Sequence, residues 1–70
     1  MTTIDPIYLE IGARIRCYRK EWLMSVNALS VKTHLPIGRI EQGLEAVSIP
    51  ALCTIAQALH CRVATLLGEE

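Results

Sequence analysis

The sequence predicts an all-α domain of five short helices around one core. Three observations carry that prediction. Apolar residues recur along the chain at helical spacing, and no stretch alternates as a strand would. Aspartate, serine, proline and glycine stand where helices need to start and stop. Seventy residues, 51% of them apolar, suffice for one core and no more. Phenylalanine is absent and only Trp22, Tyr8 and Tyr18 are aromatic, so that core must be mainly Ile, Leu, Val and Ala.

Residues 1–4 read as a loose start. Asp5 and Pro6 then supply an N-cap and a first-position proline, which opens a helix from about Pro6 to Glu21. Ile7, Ile11, Ile15, Tyr18 and Trp22 follow at steps of four, four, three and four. That stripe predicts a buried face with Trp22 mostly covered. Glu10 lies four positions before Arg14, the favourable order for a surface pair.

Ser25 can cap a second helix that turns Ala28, Leu29 and, at its margin, Val31 inward and ends near Thr33. Pro36 constrains the third element, because proline is tolerated only in the first turn of a helix. A short helix therefore runs from about Pro36 to Gln42, with Gly43 as its C′ residue. Ser48 caps the fourth helix, Pro50 sits in its first turn, and Leu52, Ile55, Ala56 and Leu59 form its apolar stripe. His60 falls at C′. Arg62 to Leu67 fits a short last helix with Val63, Leu66 and Leu67 inward and Gly68 at its end.

Composition removes several function classes. No apolar run approaches the roughly 20 residues of a membrane span. Cys17, Cys53 and Cys61 form no CxxC pair, and no secretory leader opens the chain, which points to a reduced cytoplasmic setting. Cys53 and Cys61 are expected to fill core as small hydrophobes. Their spacing from the two histidines does not make a zinc site, so no metal or other cofactor is expected. Nor is there a paired carboxylate, a nucleophile beside a base or a glycine-rich phosphate loop, so the chain reads as a non-enzyme without a small-molecule ligand. Seven Lys and Arg balance seven Asp and Glu. Nucleic-acid binders usually carry a basic footprint, and any such footprint here must be local.

"IGARIRCYRKEWLMSVNAL", Ile11 to Leu29, resembles the first two helices of the XRE group, the lambda-repressor-like and Cro-like helix-turn-helix proteins. "RIEQG" and "SIPALCTIAQALHCRVATLL", Ser48 to Leu67, are similar to the rest of that domain, and the likeness spans about residues 9–67. The resemblance implies that helices 2 and 3 form the helix-turn-helix, with helix 3 entering the major groove of double-stranded DNA. It also implies that Arg19 pairs with Glu41, fastening helix 1 to helix 3. The alternative is two independent solvated charges.

Three departures bear on function. Between Leu29 and Glu41 the chain is about three residues shorter than the family pattern, roughly 4.5 Å of helix. Either Thr33, His34 and Leu35 form the turn and helix 3 begins at Pro36, or helix 2 ends early and Thr33 caps a longer helix 3. Both registers are sterically allowed. Val26 stands where the family commonly has a glutamine that reaches the DNA backbone. The loop after helix 3 reads Leu44-Glu45-Ala46-Val47, acidic and apolar where the family often has Lys or Arg. His34 and His60 occupy positions where the family favours glycine.

Arg39 lies in helix 3 in either register, and its guanidinium suits guanine O6 and N7. Lys32, Thr33 and His34 are candidate phosphate contacts, as is Ser25 at a helix N-terminus. Arg14, Arg16 and Lys20 read as a solvated face of helix 1. Two functions follow. One is a sequence-specific regulator acting as a homodimer, with Leu44, Val47, Ile49 and Val63 as the expected dimer contact. The other is a protein-interaction module, partner or antagonist of another regulatory protein, that keeps the scaffold without DNA. Any regulatory signal would come through concentration, a partner or oligomeric state, since seventy residues leave no room for an effector domain.

Overall fold

The computed structural model describes residues 5–69, so the expectation of a loose start at residues 1–4 lies outside the described residues. Five helices appear in chain order: α1 (Pro6–Glu21), α2 (Val26–Thr33), α3 (Ile37–Glu41), α4 (Ile49–Ala58) and α5 (Val63–Leu66). No strand occurs among the described residues. The all-helical fold is as the sequence predicts.

Caps explain the starts. Asp5 Oδ1 accepts from the Ile7 N–H at 3.0 Å, Ser25 Oγ from Ala28 at 3.0 Å, and Ser48 Oγ from Ala51 at 3.3 Å. Each satisfies an N–H that has no partner within its own helix. The two shortest helices, α3 and α5, have no side-chain cap. They depend on packing instead.

The ends follow one rule. After α1, α3, α4 and α5 the chain turns through a left-handed residue, Leu23, Gly43, His60 and Gly68 respectively. In each case the next N–H reaches back to a carbonyl of the last turn, as from Met24 to Arg19 at 3.1 Å and from Leu44 to Arg39 at 3.0 Å. This is the Schellman arrangement. Two of these positions carry side chains that tolerate it poorly. His60 was visible in the sequence; Leu23, at φ 54° and 95% exposed, was not.

Ile15, Leu29, Ile37, Leu52, Ile55, Leu59 and Leu66 are the largest fully buried side chains. Each contributes about 1.5–3 kcal/mol by leaving water. Helix α1 packs on α3 and α5, α2 on α3 and α4, and α4 on α5, so every helix borders this core. No buried side-chain nitrogen or oxygen lacks a partner among the described residues.

Several expectations about burial need correction. Trp22 is 52% exposed, because α1 stops at Glu21 and Trp22 lies on its edge as the C-cap. One side of the indole is still docked: Nε1 donates to the Leu59 carbonyl at 2.8 Å, and the ring meets His60 at a centroid distance of 5.0 Å. Ile7, a turn before the core begins, is also exposed. Ala28 and Val31 face solvent, so α2 contributes chiefly Leu29 and Thr33 to the interior. Cys53 is exposed and Cys61 half-buried, where burial pushes its thiol pKa up.

The register of helix 3 is resolved. Helix α2 continues through Thr33, whose hydroxyl donates to the Leu29 carbonyl at 2.8 Å, and His34 closes it at φ 60°. Pro36 is the N-cap of α3, and Ile40 N donates to its carbonyl at 3.1 Å. The physical reason is local. Proline disfavours helical geometry in the residue before it, so Leu35 cannot extend a helix into Pro36. The turn is His34–Leu35–Pro36, with Thr33 as the last residue of α2, and α3 keeps only five residues.

Candidate nucleic-acid interface

Two features of α1 fix the α2–turn–α3 unit. Gly12 is buried under α3, so close that a Cβ on it would lie 2.3 Å from the Ile40 carbonyl oxygen and 2.8 Å from that of Glu41. Seven residues on, and therefore on the same helix face, stands Arg19. Its Nε and Nη2 donate to the two carboxylate oxygens of Glu41 at 2.7 and 3.1 Å. Its Nη1 donates to the Met24 carbonyl at 2.7 Å. Both side chains are buried, at 10% and 7% exposure. The hydrogen bonds to Glu41 raise the guanidinium pKa above its ordinary value. Of the two readings the sequence allowed, the pair is the one observed.

With its inner face held, α3 turns Arg39 outward, its side chain 60% exposed. Arg39 Nε donates to Glu45 Oε1 at 3.0 Å. The acid in the loop after α3 is thus spent on the one arginine of that helix. Lys32, in the last turn of α2, and His34, in the turn itself, are exposed. Thr33 must be corrected: it is buried and its hydroxyl is committed to Leu29, which removes it as a phosphate contact. Ser25 is exposed, with its oxygen engaged in capping α2.

Arg16, Arg19, Val26, Gly38, Glu41 and Gln42 line a shallow depression of about 290 Å³ where α1, α2 and α3 meet. Val26 is half-buried there, and its methyl group would lie 3.6 Å from a Cβ built on Gly38. Arg16 and Lys20 are exposed, as expected of a solvated face. Arg14 differs. It pairs with Glu10 at 3.6 Å and reaches the Leu66 carbonyl at 3.5 Å, docking α1 onto α5.

The apolar set expected at a dimer contact divides. Leu44 and Ile49 are exposed, Val63 is half-buried, and Val47 belongs to the core. Val47 is corrected on that ground: it pins the far end of the loop after α3. Among the described residues no cluster of three or more His, Cys, Asp or Glu could hold a metal ion. Nor is any described helix long and apolar enough to cross a membrane.

Sequence reasoning missed Gly12 and the role of Glu45. A signal for Gly12 existed, since glycine within a helix costs about 1 kcal/mol against alanine and asks for a packing reason. Glu45 had none, because a pair six residues apart across a turn follows no helical spacing. What the fold defines is a small all-helical domain with an anchored α2–turn–α3 unit. No family model, curated protein or solved structure matches the chain.

Proposed function

We propose that this chain is a sequence-specific DNA-binding regulator of the helix-turn-helix kind, akin to the XRE group, acting as a homodimer. The observation that carries the reading is Arg39: an exposed guanidinium on a short helix whose opposite face is locked to α1 by a buried ion pair. Rigid placement of one arginine beside a base edge is what bidentate guanine recognition requires. Lys32, in the last turn of α2, and His34, in the turn, precede it and are exposed, so both can reach phosphate. With a formal net charge of zero, the electrostatic share of binding is modest, and its salt dependence should be shallow.

The test is selection from random DNA at low salt, followed by Arg39→Ala. The substitution should cost roughly 1–3 kcal/mol at one base position. An enriched site that the variant binds equally well would reject Arg39 as a reader.

A five-residue helix contacts few bases, so two copies are needed for useful specificity. Leu44 and Ile49 are the exposed apolar residues beside α3 and α4 that suit such a contact, with Val63 at its edge. Sedimentation should show a mass that rises with concentration toward the dimer. A monomer mass at all concentrations would remove the dimer.

A second reading, a protein-interaction module without DNA binding, is favoured by the large apolar side chains left exposed, Leu9, Leu23, Leu44 and Ile49 among them. Failure to enrich any DNA sequence would leave that reading in place.

A further inference from the structure

We propose that Glu45 is a positioning residue for Arg39, holding the guanidinium by Nε so that its two terminal nitrogens face outward as a base-reading fork. The proposal rests on the DNA-binding reading above and names a determinant of its specificity.

The geometry has two tethers. Gly43, at φ 73°, turns the chain back so that Leu44 N donates to the Arg39 carbonyl at 3.0 Å. One residue further, Glu45 Oε1 accepts from Arg39 Nε at 3.0 Å. Backbone and side chain of Arg39 are therefore both tied to the same loop. That loop is fixed at its other end by Val47, buried in the core. The carboxylate is only partly exposed, at 39%, whereas the arginine it holds is 60% exposed.

A guanidinium carries one N–H on Nε and the rest on Nη1 and Nη2. Among the described residues its hydrogen bond to Glu45 uses Nε. The Nη pair remains to meet guanine O6 and N7. A free arginine must surrender rotamer freedom when it binds, and one already held by its neck surrenders less. Glu45 also cancels the local positive charge, which weakens attraction to phosphates of any sequence. Both effects raise discrimination over general affinity.

Charge cancellation alone is the competing role, and two variants separate it from positioning. Glu45→Gln removes the charge but keeps a carbonyl oxygen able to accept from Nε. Glu45→Ala removes both. The experiment selects a site with the full wild-type chain. It then identifies the base pair at which Arg39→Ala abolishes preference and measures discrimination there for each variant. Glu45→Ala should lose about tenfold in discrimination, the scale of one bidentate contact. Glu45→Gln should stay within about twofold of wild type while binding all sequences somewhat tighter. In an Arg39→Ala background neither change should alter discrimination further.

If both variants retain full discrimination and gain affinity for every sequence alike, positioning is overturned and the DNA reading stands. If wild type enriches no sequence, the DNA reading fails and the proposal fails with it. Thermal unfolding of each variant should match wild type, because an exposed pair adds little to stability.

Discussion

Gly12→Ala should destabilise this domain by a net of about 2 kcal/mol or more. A seventy-residue chain has roughly 4–10 kcal/mol to lose, at about 0.05–0.15 kcal/mol per residue. The new methyl group would stand 2.3 Å from the Ile40 carbonyl oxygen and under 3 Å from the carbonyl of Glu41. Backbone cannot rotate aside as a side chain can, so α1 and α3 must separate. Overpacking usually costs 1–3 kcal/mol, and here about 3 kcal/mol or more is expected because the obstacle is main chain. Better helix propensity returns at most about 1 kcal/mol.

Gly38→Ala is the control. Its methyl group would meet only Val26 Cγ1 at 3.6 Å, an ordinary contact, so propensity should win and stability rise by up to about 1 kcal/mol. Urea unfolding of both variants gives opposite signs if this account holds. A Gly12→Ala protein as stable as wild type would mean that α1 and α3 do not approach this closely.

The two glycines also show where the sequence was legible. Helix starts were readable because capping is local: Asp5, Ser25 and Ser48 each bond an N–H two or three residues on. The interior of α4 was readable because its stripe is complete, and Leu52, Ile55, Ala56 and Leu59 are all buried. What failed was whatever depended on another element. Helix α1 ends at Glu21 as the sequence predicts, but its apolar periodicity runs on to Trp22, and nothing in that stripe says that the indole at the C-cap stays half in water. Val31 has the right residue type for a core and the wrong azimuth once α2 is placed. Val47 looked like interface and serves as a core anchor. At the candidate site, the place of Arg39 in α3 follows from the sequence, while its bond to Glu45 exists only once the turn at Gly43 has folded.

Breaking Arg19–Glu41 should have the second large effect, and it tests whether the anchor of α3 is energetic as well as geometric. Glu41→Ala leaves a guanidinium at 10% exposure without its carboxylate, and losing one partner of a buried pair costs about 3–5 kcal/mol. Arg19→Met should cost at least as much, because it strands the Glu41 carboxylate at 7% exposure without its cation. The Met24 carbonyl loses its donor as well, and the apolar side chain of similar length replaces only the packing. The double variant should then be more stable than the sum of the single effects allows, with a coupling energy of about 1 kcal/mol or more. Because α3 is only five residues long and carries no side-chain cap, it relies on this pair and on the packing of Ile37 and Ile40 to stay helical. On the proposed DNA-binding reading, Glu41→Ala should therefore blur sequence preference even at temperatures where the rest of the domain stays folded. Additive single effects on urea unfolding would identify two independent charges and leave Gly12 packing alone to position the helix that carries Arg39.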